Sequence, residues 1–152
     1  MGKDCFGGLG NYSYLCIMIK GPTTYLKTET NILTRTQLRR VAKETLNYCV
    51  STMGINPKLP VPAVSIQYRG RSRRYGQYDV TNNKVEIFHN TCGDVKMVIR
   101  TVIHEYTHYL QDMNMYWKLY KKVGYDNHPD ELEARSNEKL YSPCWKVIKN
   151  KI

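Results

Sequence analysis

The chain has 152 residues, of which 41% are hydrophobic and 24% are charged, and its formal net charge is +10. A single globular domain is therefore expected over residues 1–152, with residues 1–31 poorly defined. No apolar run approaches the roughly 20 residues that span a bilayer, and no signal-peptide pattern is present, so we expect a cytoplasmic protein without a membrane partner. The positive charge favours acidic partners, including nucleic acid.

The cysteines indicate the same compartment. Five of them are scattered along the chain without a CxxC pair: Cys5, Cys16, Cys49, Cys92 and Cys144. An odd number of scattered cysteines argues for free thiols in a reducing environment. Cys49 and Cys144 are expected to be small apolar core residues.

A strand and a helix are the first predicted elements. The stretch YSYLCIMIK, residues 12–20, is compatible with a strand. From Thr34 to Met53, apolar residues recur at steps of three and four, which predicts a helix. Thr34 and Gln37 form a plausible capping box, and Gly54 suits the position after the last turn. The outer face carries three basic residues, interpreted mainly as a solvated surface: Arg35, Arg39 and Lys43.

Three strands are predicted next. In AVSIQYR, Val64, Ile66 and Tyr68 alternate with polar residues, which indicates a strand with one buried face. Gly76 to His89 is predicted to form a hairpin around TNN, whose asparagines tolerate the positive φ of a tight turn. An arginine loop lies between these elements and either clamps a phosphate backbone or acidic peptide, or is simply exposed: Arg69, Arg71, Arg73 and Arg74.

The second strong helix is predicted from Asp94 to about Asn114. Its wide apolar stripe consists of Val95, Val98, Ile99, Val102, Ile103, Tyr106, Tyr109, Leu110 and Met113. A partly helical connection, MYWKLYKKVGY, follows. Pro129 then marks the start of a third helix that extends to about Tyr141. The tail is expected to form one short basic helix that docks through Trp145 and Ile148.

The stretch TVIHEYTHYLQ places His104 and His108 one turn apart on the second helix, roughly opposite the apolar stripe. Glu105 projects about 100° further round the axis. Two imidazoles from one helix, with a carboxylate beside them, are the arrangement that a catalytic zinc site needs. The simpler alternative is an exposed helix face that carries two histidines by chance.

A catalytic zinc takes three protein ligands, so a third ligand is required. The candidates are His128, Glu131 and Glu133, all in DNHPDELEARSNE. The two glutamates also have a simpler explanation, since acidic residues complement the dipole in the first turn of a helix. His128 is otherwise a helix-entry residue before proline. Glu131 and Glu133 point about 200° apart around the helix axis, so only one of them can face a metal.

HEYTH followed by HPDELEA resembles the glutamate zincins, a group of HExxH zinc metallopeptidases. The sequence is similar to small stand-alone domains of the SprT-like, ImmA/IrrE-like and phage-encoded kinds. The resemblance implies an α+β, zincin-like fold in which a small, mostly antiparallel sheet packs on the HExxH helix. An N-terminal helix and a C-terminal glutamate-bearing helix complete it. Aligning on Ala134 makes Glu131 the implied zinc ligand.

The sequence departs from the family pattern after this glutamate. Arg135 stands where many members have the Asp or Asn that buttresses a zinc-bound histidine. Arginine accepts no hydrogen bond, so the buttress is missing or comes from elsewhere. Shifting the alignment by two residues would make Glu133 the ligand and Asn137 the buttress. The metzincin pattern is absent, because its glycine and third histidine are replaced by Gln111 and Asn114.

The resemblance implies a peptidase with one Zn²⁺ per chain. Zinc would lower the pKa of bound water and polarise the scissile carbonyl, while Glu105 would act as the general base. The strand from Lys84 to Phe88 would pair with an extended peptide as an edge strand. Candidate oxyanion donors are Tyr120, Tyr125 and His128.

The alternative is a basic nucleic-acid-binding protein with a structural or vestigial zinc site. The two functions combine in a DNA-associated protease, as in the SprT-like proteins. Binding of DNA that depends steeply on salt and is insensitive to Glu105→Gln would favour this alternative.

Overall fold

A computed structural model describes residues 25–69 and 73–152. The strand expected over residues 12–20 and the loop residue Arg71 lie outside these ranges. The architecture is α+β. Its helices are α1 Arg35–Met53, α2 His89–Cys92, α3 Val95–Leu110, α4 Met113–Val123, α5 Pro129–Asn137 and α6 Tyr141–Ile148. Its strands are β1 Ala63–Gln67, β2 Gly76–Asp79 and β3 Lys84–Phe88, and 3₁₀ turns cover Thr30–Ile32 and Glu138–Leu140.

Helix α1 begins as predicted. The backbone N–H of Gln37 donates to Thr34 Oγ1 at 3.2 Å, and the backbone N–H of Thr34 donates to Gln37 Oε1 at 2.9 Å, which is the expected capping box. Gly54 follows the last turn with a φ of 83°. The inward face buries Leu38, Val41, Ala42, Leu46 and Cys49. The basic residues of the outer face are exposed, as expected.

The sheet differs from the expectation in two ways. Its strand order is β1-β3-β2, with β3 parallel to β1 and antiparallel to β2, so the sheet is mixed and not mostly antiparallel. The predicted hairpin is present, and Asn83 adopts the positive φ of 47° in its turn. However, β3 is the central strand, because β1 occupies its other side. The prediction that Lys84–Phe88 is an edge strand was therefore wrong, and β2 is an edge strand among the described residues instead.

The first strand is shorter than predicted. It ends at Gln67, and only Ile66 of its apolar residues is fully buried. Tyr68 was expected on the buried face but is 70% exposed, because it lies beyond the last residue that pairs with β3.

Helix α3 lies at the centre of the protein. Asp94 caps it by accepting a hydrogen bond from the backbone N–H of Met97 at 2.8 Å. The apolar stripe is buried almost throughout and packs against α1 and the sheet, while α5 contacts α3 from another side. The helix ends at Leu110, four residues earlier than predicted, because Gln111 is extended. Asp112 then caps α4, so the predicted connection is largely a helix.

The C-terminal part follows the predicted order with one added break. Helix α5 starts at Pro129 and ends at Asn137, and the 3₁₀ turn then separates it from α6. Trp145 and Ile148 of α6 are buried in the core, as expected. Among the helices of the described residues, none has both the length and the apolar character that a membrane crossing requires.

Candidate metal centre

The two histidines of α3 point their Nε2 atoms toward each other. The distance between His104 Nε2 and His108 Nε2 is 3.2 Å, and the ring planes are 75° apart. Both side chains are largely buried, with 14% and 8% of their surface exposed. The one-turn spacing therefore produces a pair of nitrogen atoms directed at one point.

Glu131 brings a carboxylate to the same point from α5. Its Oε2 is 3.5 Å from His104 Nε2, and its Oε1 is 3.4 Å from His108 Nε2. The potential ligand atoms of the three residues lie within 4.8 Å of one another. Ala134, one turn after Glu131, is completely buried, and its small side chain lets α5 approach α3 closely.

The structure does not bring the other two candidate ligands to this cluster. Glu133 is exposed, and its Oε2 accepts a hydrogen bond from Gln111 Nε2 at 2.8 Å. His128 is buried, but both of its nitrogens are engaged: Nε2 is 3.0 Å from the carbonyl oxygen of Tyr116, and Nδ1 accepts from the backbone N–H of Asp130. Its role here is to cap α5.

The residues present fit a divalent metal. Glu131 Oε1 accepts a hydrogen bond from the hydroxyl of Tyr116 at 2.7 Å, whereas the buried Oε2 has no hydrogen-bond partner among residues 25–69 and 73–152. A buried carboxylate oxygen without a partner is costly, and a cation between the three side chains would remove that cost. Two imidazoles and one carboxylate are a donor set that zinc takes in catalytic sites.

Protonation in the metal-free protein partly substitutes for a cation. Burial lowers the pKa of His104, but the nearby carboxylates of Glu131 and Glu138 outweigh burial and raise it to about 9. Burial raises the pKa of Glu131, but the charge of His104 beside it and the hydrogen bond from Tyr116 hold it at about 2. Burial lowers the pKa of His108, and the charge of His104 adds to that effect. Metal binding would displace the proton from His104.

Each histidine is held in place through its Nδ1 atom. His104 Nδ1 is 2.9 Å from Glu138 Oε1, and His108 Nδ1 is 2.8 Å from Gln111 Oε1. A carboxylate only accepts hydrogen bonds, so Nδ1 of His104 is the donor and its Nε2 remains available for a metal. Gln111 also donates from Nε2 to the carbonyl oxygen of Asp130, which ties the end of α3 to α5.

Glu138 therefore supplies the hydrogen-bond acceptor for a histidine that Arg135 cannot supply. It lies seven residues after Glu131, about two helical turns, and Arg100 also donates to its Oε2 from Nε at 2.9 Å. Arg135 lies outside this network, and Asn137 donates to Thr107 Oγ1 at 3.3 Å instead of to a histidine. Sequence reasoning missed Glu138, although its spacing from Glu131 was a usable signal.

Glu105 is next to the cluster and is 8% exposed. Burial raises its pKa to about 7, against the lowering effect of the His104 charge. Strand β2 passes close by, because Gly76 has no side chain. A Cβ atom there would be 2.7 Å from Thr101 Cγ2 and 3.5 Å from Glu105 Cγ. The glycine thus allows the sheet edge to approach the general-base candidate.

A cleft of about 920 Å³ opens over the histidines and Glu131. Helix α4 contributes an aromatic side, where Tyr116, Trp117 and Tyr120 line the cleft together with Tyr125. Two of the predicted oxyanion donors, Tyr120 and Tyr125, therefore face this space, whereas His128 is fully buried behind Tyr116. Tyr116 was not predicted as a site residue, because its segment was interpreted as a connection.

The described arginines of the arginine loop have different surroundings. Arg69 donates to Gln77 Oε1 at 3.3 Å and places its guanidinium 5.0 Å from the ring centroid of Phe88. Arg73 and Arg74 line the cleft on the β2 side.

Comparisons with models of known protein families, with curated proteins and with solved structures gave no match. The functional interpretation therefore depends on the geometry and chemistry of the site.

Proposed function

We propose that this protein is a zinc-dependent peptidase with a zincin-like fold. His104, His108 and Glu131 would bind one zinc ion per chain, and Glu105 would be the general base. The observation that supports this most strongly is the Glu131 carboxylate. It comes from a separate helix, is buried beside two convergent histidine nitrogens, and leaves Oε2 without a hydrogen-bond partner among the described residues.

When bound, zinc supplies Lewis acidity, which activates water and polarises a carbonyl group. Glu105 would accept the proton of the attacking water and donate it to the leaving amine. The adjacent position of Glu105 on α3, outside the three-ligand cluster, supports this separate role. Glu138 and Gln111 would hold the two imidazoles in orientation while this occurs.

An extended peptide would pair with β2 in this proposal. Strand β2 carries a strand on one side only within the described residues, and three of its residues line the cleft: Gly76, Gln77 and Tyr78. Addition of a peptide strand to such an edge is a common recognition mode. Tyr120 and Tyr125 remain the candidate oxyanion donors, because both line the cleft.

Metal analysis and a hydrolysis assay test the proposal together. Protein purified without chelators should contain one zinc per chain, and the wild type should cleave a peptide library or unfolded casein. Glu105→Gln should retain zinc and lose cleavage. Glu133→Gln, a change of the same type at an exposed position, should behave as the wild type. A zinc-free preparation, or equal cleavage by Glu105→Gln, would refute the proposal.

A second candidate function is nucleic-acid binding, which the surface around Tyr68 favours. Tyr68 is 70% exposed, and its neighbour Arg69 and the exposed Arg35 of α1 lie at the same end of β1. An exposed aromatic ring flanked by arginines suits stacking of single-stranded bases. DNA affinity that falls steeply with salt, drops in Tyr68→Ala and is unchanged in Glu105→Gln would support this function.

A further inference from the structure

We infer that the cleft selects peptides in which a carboxylate lies near a large apolar side chain. This inference rests on the proposed function, since it names the substrate class of the same site. It follows from two arginines and a group of aromatic side chains that line the same cleft as His104, His108 and Glu131.

The arginines that line the cleft are not equivalent. Arg100 is committed to Glu138, which holds His104. Within residues 25–69 and 73–152, Arg73 has no ion-pair partner, and Asp126 is the only acidic side chain that pairs with Arg135, at 3.5 Å. The Asp126 side chain is 90% exposed, so water screens this pair strongly. Arg73 and Arg135 are therefore available for an incoming anion.

Arg135 also contacts an aromatic ring of the cleft. Its guanidinium lies 5.0 Å from the ring centroid of Tyr125, which also lines the cleft. A guanidinium stacked on an aromatic ring loses less conformational freedom when it binds a carboxylate, and its planar fork matches the two carboxylate oxygens.

Part of the cleft lining is aromatic and accessible. Trp117 is 59% exposed and Tyr120 is 38% exposed, yet both belong to the lining. Large aromatic surfaces that remain accessible inside a cleft gain free energy when an apolar side chain covers them. The arginines and the aromatic side chains together match a peptide that carries both a carboxylate and an apolar side chain.

The distribution of charge favours a peptide over a nucleic acid. The exposed arginines line the same cleft as two buried carboxylates, Glu105 and Glu131, and the half-buried Glu138. A phosphodiester backbone would place successive negative charges over these carboxylates, whereas a peptide can present one carboxylate to the arginines. The peptide carboxylate can belong to an acidic side chain or to the C-terminus.

Binding to Glu105→Gln tests the inference without any turnover. Fluorescein-labelled peptides would be identical except at one position next to a Leu, which would be Glu or Gln. Each of the two peptides would be made with a free and with an amidated C-terminus. Anisotropy would be measured at low and high salt, with zinc and after its removal. Arg73→Ser/Arg135→Ser would be compared with Arg39→Ser, a matched change on the outer face of α1. A single-stranded oligonucleotide would serve as the competing ligand class.

The peptides with a carboxylate should bind about tenfold more tightly than the amidated peptide that contains Gln. This is the gain in affinity that one charge-assisted hydrogen bond provides. This preference should weaken at high salt, persist without zinc and disappear in Arg73→Ser/Arg135→Ser, but remain in Arg39→Ser. If, among the amidated peptides, the one with Glu binds more tightly than the one with Gln, the recognised carboxylate is a side chain. If only the peptides with a free C-terminus bind more tightly, the recognised carboxylate is the chain end. Equal binding of all peptides, or tighter oligonucleotide binding that depends on the same arginines, would overturn the inference. Failure to hydrolyse peptides would refute only the proposed function.

Discussion

The side chain of Glu138 accepts a hydrogen bond from Nδ1 of His104 at 2.9 Å, although the two residues are 34 positions apart in the chain. The same carboxylate accepts from Arg100, so it is fixed on both oxygens. This contact supplies the histidine orientation that Arg135 cannot supply. It also extends the candidate site beyond α5 into the 3₁₀ turn that follows.

Replacing Glu138 with alanine should weaken zinc binding by about 10- to 100-fold, the range found for outer-shell partners of metal ligands. The reason is that His104 would lose the group that fixes its Nδ1 atom. Affinity would be measured by competition with a chromophoric chelator. Lys139→Ala, an exposed neighbour, is the control. Unchanged affinity in Glu138→Ala would remove this residue from the site.

Replacing Glu131 with glutamine should lower zinc affinity more than the loss of an outer-shell partner does, that is by more than about 100-fold. The amide cannot provide the anionic oxygen that faces the two histidines. Glu133→Gln should remain near wild type in the same titration. The reverse result would shift the ligand assignment by two residues and make Asn137 the residue that orients a zinc-bound histidine.

Substitutions of the cleft tyrosines should affect either catalysis or zinc binding, depending on the residue. If Tyr120 or Tyr125 is the oxyanion donor, its change to phenylalanine should lower kcat by about 100- to 1,000-fold and leave zinc content unchanged. Tyr116→Phe should instead weaken zinc binding, because its hydroxyl holds Glu131. Steady-state kinetics combined with metal analysis makes the distinction. Full activity in both Tyr120→Phe and Tyr125→Phe would place the donor elsewhere.

Replacing Gly76 with alanine should destabilise the protein by about 1–3 kcal/mol, as overpacking of a tight contact does. The added Cβ would lie 2.6 Å from the carbonyl oxygen of Glu86 and 2.7 Å from Thr101 Cγ2. Denaturant unfolding of this variant would be compared with Thr81→Ala, a change in the exposed hairpin turn. Equal stability of the two variants would show that β2 can move away from α3 without cost.

The thiols of Cys49, Cys92 and Cys144 should resist alkylation in the folded protein. Burial raises the pKa of Cys92 and of Cys144 to about 12, and it also raises the pKa of Cys49. The reactive thiolate is therefore scarce at neutral pH, and the sulfur atoms are inaccessible. Peptide mass spectrometry after iodoacetamide treatment should find these residues modified only in denaturant. Modification under native conditions would contradict their placement in the core.

Local patterns were sufficient for the elements that depend on neighbouring residues. The capping box of Thr34, the hairpin turn at Asn83 and the apolar stripe of α3 all follow from short-range spacing. The parallel pairing of β1 with β3 does not, because side-chain alternation sets the buried face of a strand but not its partner. The edge position of β2 was missed for the same reason.

In the site too, local spacing predicts some residues and misses others. The helical period alone predicts that His104 and His108 converge, and the structure brings Glu131 to them. Glu138 and Tyr116 were not assigned, because each reaches the cluster from an element outside α3 and α5; the seven-residue step from Glu131 to Glu138 was the usable signal. Their positions depend on the break after Asn137 and on the unpredicted length of α4.

Tyr116 is the only fully buried residue of α4, and the same side chain holds Glu131 through its hydroxyl. Local opening of α4 would therefore remove a hydrogen bond from the proposed third ligand. By thermodynamic reciprocity, metal loading that orders Glu131 must also favour the closed position of α4. Hydrogen exchange in α4 should accordingly slow when zinc is added, while the amides of α1 respond less. Metal binding would thus hold the aromatic side of the cleft more firmly in the position seen here.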